Sequence, residues 1–277
     1  IPNYVLSGVL ISNLFFVLSC LLFFKLVKRI YRKKTAVLAT VLLAIFPTSY
    51  FFSIAYPESM FFFLATACFY LLEKKRYVAS SLVAGLASIT KPFGIILFLI
   101  VIYKTLKDGP GFKKVLLVLD CLGIFPFIYL WLNYLVYGDF FAFQKSLADN
   151  WQKHFVPPWT GIIDSWKRGL LTTGWSEYKI MVGFAEAIAS STAVVFSFLS
   201  IRKLKTEYFL YLLLGTLLFT STGFILSAPR YLLSLPPFFI ILAVLLRNKL
   251  LRTIWIIISV CLSLYLSSTI ASGRWAF

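Results

Sequence analysis

Acidic residues are scarce in this chain, with ten Asp and Glu against 27 Lys and Arg in 277 residues. Charged residues of both signs make up only 13%, where a soluble globular domain carries ~25%. A water-exposed surface cannot be covered with so few charges, and a disordered chain would not be 60% hydrophobic, so both classes are excluded. Histidine occurs once, and the four cysteines (Cys20, Cys68, Cys121 and Cys261) form no C-x-x-C pair. They lie in apolar stretches and read as small core hydrophobes, so neither a disulfide frame nor a metal site is expected. No Asn-x-Ser/Thr sequon is present, which removes glycosylation as a guide to compartment. The chain opens Ile1-Pro2-Asn3, without an initiator Met or a charged leader, so it does not begin as a signal peptide. What is abundant is apolar and aromatic. There are 29 Phe, 15 Tyr and 7 Trp, and the mean hydropathy is +0.89. This is the composition of a polytopic membrane protein.

Apolar runs bounded by charge place ten membrane segments, at about 4–27, 36–54, 57–72, 77–90, 92–103, 115–137, 181–201, 207–226, 231–246 and 251–270. The fold class expected is an all-α transmembrane bundle forming one domain over 1–277. The runs 77–90 and 92–103 fall short of a ~30 Å hydrocarbon core at ~1.5 Å rise per residue. They read as a tight hairpin with its tip at Lys91-Pro92. Nineteen of the 27 basic residues then fall on alternate connections, around 25–34, 74–76, 104–114, 202–205 and 247–252. By the positive-inside rule those connections are cytoplasmic and both ends of the chain face away from the cytoplasm. The charge surplus is therefore a topology signal and not a nucleic-acid footprint. An outward N-terminus without a start signal predicts at least one further span, with its loop, before Ile1.

The exoplasmic side holds one outlier, a loop over 138–179 among connections of a few residues. Long loops of this kind usually carry function. It contains four of the seven tryptophans (Trp151, Trp159, Trp166, Trp175), the only histidine, His154, and four carboxylates, Asp139, Asp149, Asp164 and Glu177. Phe140, Phe143, Leu147 and Trp151 recur at helical spacing, which predicts an interfacial helix ended by Pro157-Pro158. Two readings stand side by side. The aromatics could anchor the loop at headgroup level, or they could stack on sugar rings while the carboxylates bind hydroxyls. On the second reading Trp151, His154, Trp159 and Trp175 are the sugar or acceptor contacts. With no second His or Cys nearby, His154 is not expected to hold a metal.

Three charges flank the expected bilayer on this side. Glu58 opens a span and could simply meet its helix dipole. Lys91, at the tip of the short hairpin, would cost about 2.5–3.5 kcal/mol at membrane depth, so a partner is expected. That partner could be a lipid phosphate or a carboxylate such as Glu58. Arg230 begins another span and could snorkel to headgroups or bind the same phosphate.

Residues 46–61, FPTSYFFSIAYPESMF, resemble the F-P-x(n)-F-F-x-x-x-Y-x-E-S-x-F signature of one family. It comprises the integral-membrane mannosyltransferases related to glycosylphosphatidylinositol mannosyltransferase II, which are GT-C glycosyltransferases. Shorter similarities are AGLASITKP at 84–92, Arg230-Tyr231 followed by Pro236, and GRWAF at 273–277. The resemblance implies a GT-C-like fold with an exoplasmic site. It further implies a polyprenyl (dolichyl-type) phosphate mannose donor, a lipid or glycan acceptor, and inversion at the sugar. No cofactor is implied with certainty. Lys91 and Arg230 would then bind the donor phosphate. The family carries its principal acid on the first exoplasmic loop in a Trp-Asp segment, and no Trp-Asp occurs here. That acid is expected upstream of residue 1, the given chain alone is expected to be inactive, and Glu58 could assist. The competing class is a lipid-linked-sugar flippase or other transporter, which predicts helices broken at mid-membrane and an internal repeat. A prokaryotic plasma membrane is the default location and the endoplasmic reticulum the alternative.

Overall fold

The computed structural model describes residues 3–151 and 154–277, which form a chain of helices joined by short turns. Their order is α1 (Tyr4–Ile30), α2 (Lys33–Ala44), a 3-10 turn (Ser49–Phe52), α3 (Glu58–Glu73), α4 (Tyr77–Thr90), α5 (Phe93–Asp108) and α6 (Phe112–Tyr137). Then follow α7 (Ala142–Trp151), α8 (Pro158–Leu171), a π-helical turn (Lys179–Ala185) running into α9 (Glu186–Ser200), and α10 (Thr206–Thr220). The last stretch is α11 (Ala228–Tyr231), a 3-10 turn (Leu232–Ser234), α12 (Pro236–Leu245) and α13 (Lys249–Ala271). Local chemistry sets several ends. The Asn3 side-chain oxygen Oδ1 accepts from the Leu6 N–H at 3.0 Å and caps α1, and Asn248 caps α13 in the same way. Left-handed Gly109 and Gly138 close α5 and α6. Among the described residues there is no named strand, only an isolated bridge between Phe155 and Thr222.

Among the described residues, four helical stretches are long and apolar enough to cross a bilayer: α1, α6, Lys179–Ser200 and α13. A fifth joins Ala228–Ser234 to Pro236–Leu245 with a bend of 96°. Each of the ten expected apolar runs contains helix, but four differ in extent. The run 36–54 stops being α-helical at Ala44, because Pro47 follows and the chain turns through Ser49–Phe52. The run 92–103 extends to Asp108, giving α5 16 residues, or about 24 Å. The run 207–226 ends as helix at Thr220, beyond which the chain is non-helical. The run 231–246 is broken ahead of Pro236, whose ring forbids a straight continuation. The loop 138–179 is itself largely helical, as α7, described as far as Trp151, and α8, and the chain is non-helical at His154, before Pro157.

The core gathers around α3. Phe62 meets Phe23 of α1, Phe52 of the 3-10 turn and Phe239 of α12, mostly edge to face at centroid separations of 5.3–6.1 Å. Phe69 stacks on Tyr208 of α10 at 4.6 Å. Close approaches elsewhere need glycine. The Phe125 ring of α6 occupies the place a Cβ on Gly85 would take, and Gly94 lies against the Ala87–Ser88 backbone. Helices α1, α6 and α13 by contrast bury little of themselves and carry exposed leucine, isoleucine and valine faces. Cys261 is exposed on α13 and only Cys68 is fully buried, so just one of the four thiols is a core residue.

The connections sort into two ends. At one, the Tyr31 hydroxyl donates to Lys203 O at 2.6 Å, Arg29 donates to Glu73 O, and Lys205 meets Glu73 at 2.8 Å. Lys104 joins them through Glu207 at 3.6 Å. Four of the five basic connections read as cytoplasmic are therefore neighbours. The other end brings together the starts of α3 and α11, the tip of the α4–α5 hairpin and the tail after α13.

Candidate functional site

Glu58, Lys91 and Arg230 meet at that second end. Lys91 Nζ lies 3.1 Å from Glu58 Oε1 and Arg230 Nε 2.5 Å from the same oxygen. The carboxylate is fully buried, the lysine nearly so, and the Arg230 side chain 20% exposed. Glu58 Oε2 is buried with no hydrogen-bond partner among the described residues. Helix α3 begins at Glu58 directly after Pro57, so the carboxylate stands in the first turn, where the helix dipole favours negative charge. Lys91 ends α4 in extended geometry and Pro92 starts α5. The X-Pro step thus makes the tight tip that inserts the ammonium beside Glu58. Rings of Phe61 and Phe93 flank Lys91 at 5.9 and 6.0 Å, and Phe51 and Tyr56 flank the Arg230 guanidinium at 4.5 and 4.4 Å. These aromatic faces stabilise the cations where water is excluded. The three charged groups sum to +1.

Arg230 sits on α11, a four-residue helix held from two sides. The Glu186 carboxylate, fully buried, accepts from the Ser227 and Ala228 N–H groups, both at 2.6 Å. The buried Thr48 hydroxyl donates to Pro229 O at 2.9 Å. Ser227 is left-handed, with φ 73°. The tail folds back over this end. Its Ala276 carbonyl accepts from the Tyr50 hydroxyl, Ala276 and Phe277 are buried, and Arg274 pairs with Glu177 at 2.7 Å.

Beside the cluster a partly open cavity of about 380 Å³ runs between α9, α12 and α13. Its lining is almost wholly apolar and includes Phe46, Phe184, Phe196, Trp255 and Leu262. Pro47, Pro229 and Phe277 also line it, and Pro229 adjoins Arg230. One side of this slot therefore touches the turn that carries the cation.

No family model, curated protein or solved structure matches the chain. The functional reading accordingly rests on the geometry and on the motif resemblance.

Of the expected site residues, the structure unites Glu58, Lys91 and Arg230, the last two drawn to Glu58 across 33 and 172 positions of sequence. Both cations engage the one Glu58 oxygen, which gives this carboxylate a holding role. Trp159 and Trp175 stand on the surface, 63% and 82% exposed, and Trp175 stacks under the Lys179 ammonium at 5.4 Å. Exposed His154 packs its ring against Gly223, while its carbonyl accepts from Gly223 N at 3.1 Å. The Trp151 side chain lies outside the described residues. Trp166, by contrast, donates to Ser191 Oγ at 3.1 Å and fixes α8 to α9. Among the described residues no group of His, Cys, Asp and Glu could hold a metal ion. Two parts of the site were missed in the sequence. The Phe51 and Tyr56 sandwich was hidden inside the motif, and Glu186 was visible only as an acid in an apolar run.

Proposed function

We propose that this chain belongs to a membrane-embedded glycosyltransferase that takes a sugar, mannose by resemblance, from a polyprenyl-phosphate donor. The acceptor would be a lipid or glycan on the side of the membrane away from the basic connections. The reading includes the ten-segment, GT-C-like arrangement with its outward-facing site. The observation that carries it is the pair of cations converging on one buried carboxylate oxygen beside an apolar slot. A phosphomonoester or phosphodiester headgroup brings further negative charge to two cations that share one carboxylate oxygen, and an isoprenoid chain matches the slot's lining. Arg230 offers a planar fork and Lys91 a point charge to the phosphate oxygens. As the glycosyl–phosphate bond breaks, negative charge grows on the leaving phosphate, and the same two cations stabilise it without rearranging. Glu58 keeps them together when no phosphate is present. The principal base, which deprotonates the acceptor hydroxyl, is assigned to no residue of this chain.

The test uses the complete protein in nanodiscs with undecaprenyl phosphate as the probe, followed by sugar transfer from the mannosyl form read by mass spectrometry. Lys91→Gln and Arg230→Gln should each weaken binding of the probe by about tenfold or more, as loss of a charge-assisted contact does. Folded variants that bind the probe like the parent would end the phosphate reading. A transporter is the second reading, favoured by the 96° break before Pro236. It predicts movement of the intact lipid-linked sugar between leaflets with no transfer product.

A further inference from the structure

We infer that Glu186 and Thr48 together are positioning residues that set the Arg230 guanidinium against Glu58. The inference rests on the phosphate reading above and adds to it a control of the cation's placement. A fully buried carboxylate at the start of an apolar helix is costly unless hydrogen-bonded. Glu186 uses its two oxygens on two successive backbone N–H groups, those of Ser227 and Ala228, each at 2.6 Å. That bidentate grip is made to a turn whose first residue, Ser227, adopts a left-handed conformation that a residue with a Cβ avoids. Strain of this kind persists only where surrounding contacts over-determine it. The next residue but one, Pro229, offers no N–H, and its carbonyl is taken by Thr48 Oγ1 at 2.9 Å. All three residues preceding Arg230 are thus tied to α9 or to the corner after α2. Arg230 follows one bond later, so the clamp fixes the Cα from which its side chain reaches Glu58. Glu186 itself is the first residue of α9, directly after the π-helical turn Lys179–Ala185, and is fully buried.

Glu186→Gln keeps one accepting oxygen but presents an amide N–H₂ to the other backbone donor, so one of the two bonds is lost and the turn must shift. Thr48→Val removes the hydroxyl at nearly constant volume. Binding of undecaprenyl phosphate to the complete protein in nanodiscs should weaken about tenfold in Glu186→Gln, as for loss of a bond to a charged group. Thr48→Val should weaken it about threefold, as for loss of a neutral bond. The decisive readout is the double variant. If Glu186 acts through Arg230, Glu186→Gln with Arg230→Gln should bind no worse than Arg230→Gln alone, an effect that general destabilisation would not produce. If Arg230→Gln weakens binding while folded Glu186→Gln and Thr48→Val bind like the parent, the positioning role is overturned and the phosphate reading survives. If Arg230→Gln itself binds like the parent, the phosphate reading fails and takes this inference with it. Should Glu186→Gln not fold, Thr48→Val decides: unchanged binding overturns the clamp, and weakened binding supports it.

Discussion

Helix α3 carries a glutamate at each end, Glu58 and Glu73, and the two are surrounded in opposite ways. Around Glu58, two cations share one carboxylate oxygen, a local surplus of positive charge closed in by aromatic rings. Around Glu73, Lys205 bridges both carboxylate oxygens at 2.8 Å and the Tyr208 hydroxyl donates at 3.1 Å. Next to it Lys104 is shared by Asp108 at 3.2 Å and Glu207 at 3.6 Å, and Tyr77 donates to Asp108. There three carboxylates meet two lysines, with phenol hydroxyls completing the set. Among the described residues the Glu58 end gathers one cation more than its carboxylate, and the Glu73 end one carboxylate more than its lysines. The difference teaches that burial of charge is not by itself the mark of an anion site; the sign of the local excess is.

The comparison breaks most readily at Glu58. Glu58→Gln leaves two largely buried cations without their anion and should destabilise the complete protein by about 3–5 kcal/mol, read as a lowered unfolding midpoint in detergent. A variant as stable as the parent would mean that the two ends do not differ in this way. Glu207→Gln sharpens the contrast from the other side. Lys104 keeps Asp108, so the expected cost is about 1 kcal/mol or less, with undecaprenyl phosphate binding unchanged. A drop in binding there would show that charge is coupled along the bundle and not local. The smallest effect is expected in the loop, where the Lys145 ammonium and then the Phe141 N–H hold the Asp139 carboxyl below its ordinary range. Because the folded state lowers this pKa, the contribution is present at neutral pH and fades as pH falls through the folded value. The carboxylate is partly exposed and its Lys145 partner largely so, so Asp139→Asn should lower stability at neutral pH only slightly and flatten its acid limb. A larger change would give the loop a structural weight that its exposure does not suggest.

Helix positions were largely legible in the sequence, because apolar runs and charged connections mark where a chain can enter an apolar phase. What was not legible is how each run is interrupted. Pro47 and Pro236 were visible, but whether a proline kinks, ends or re-aims a helix depends on its neighbours. The meeting of Lys91 with Glu58 was foreseen as one of two options, since an ammonium at membrane depth requires an anion. That Arg230 joins the same oxygen was not, because proximity across 172 positions has no local signature. The tryptophans drew attention by their density. Trp166 turned out to be a strut between α8 and α9, and Trp159 and Trp175 exposed rings. Glu186 carries no local signal of its role, because an isolated acid says nothing about which backbone donors it will find.

The π-helical turn at Lys179–Ala185 has a consequence for insertion and deletion in this chain. A wider turn holds one residue more than an α-helix would spend on the same rise, and each residue advances the helix by ~100°. Deleting a single residue within this turn would let it close into an ordinary α-helical turn, with the loop side and the bundle side of the helix still in phase. A deletion inside α9, which holds no spare residue, would instead rotate Glu186 away from Ser227 and open the Gly169–Gly183 contact. A frame-preserving loss of one codon in α9 should therefore be felt at Arg230, and the same loss in the π-helical turn far less.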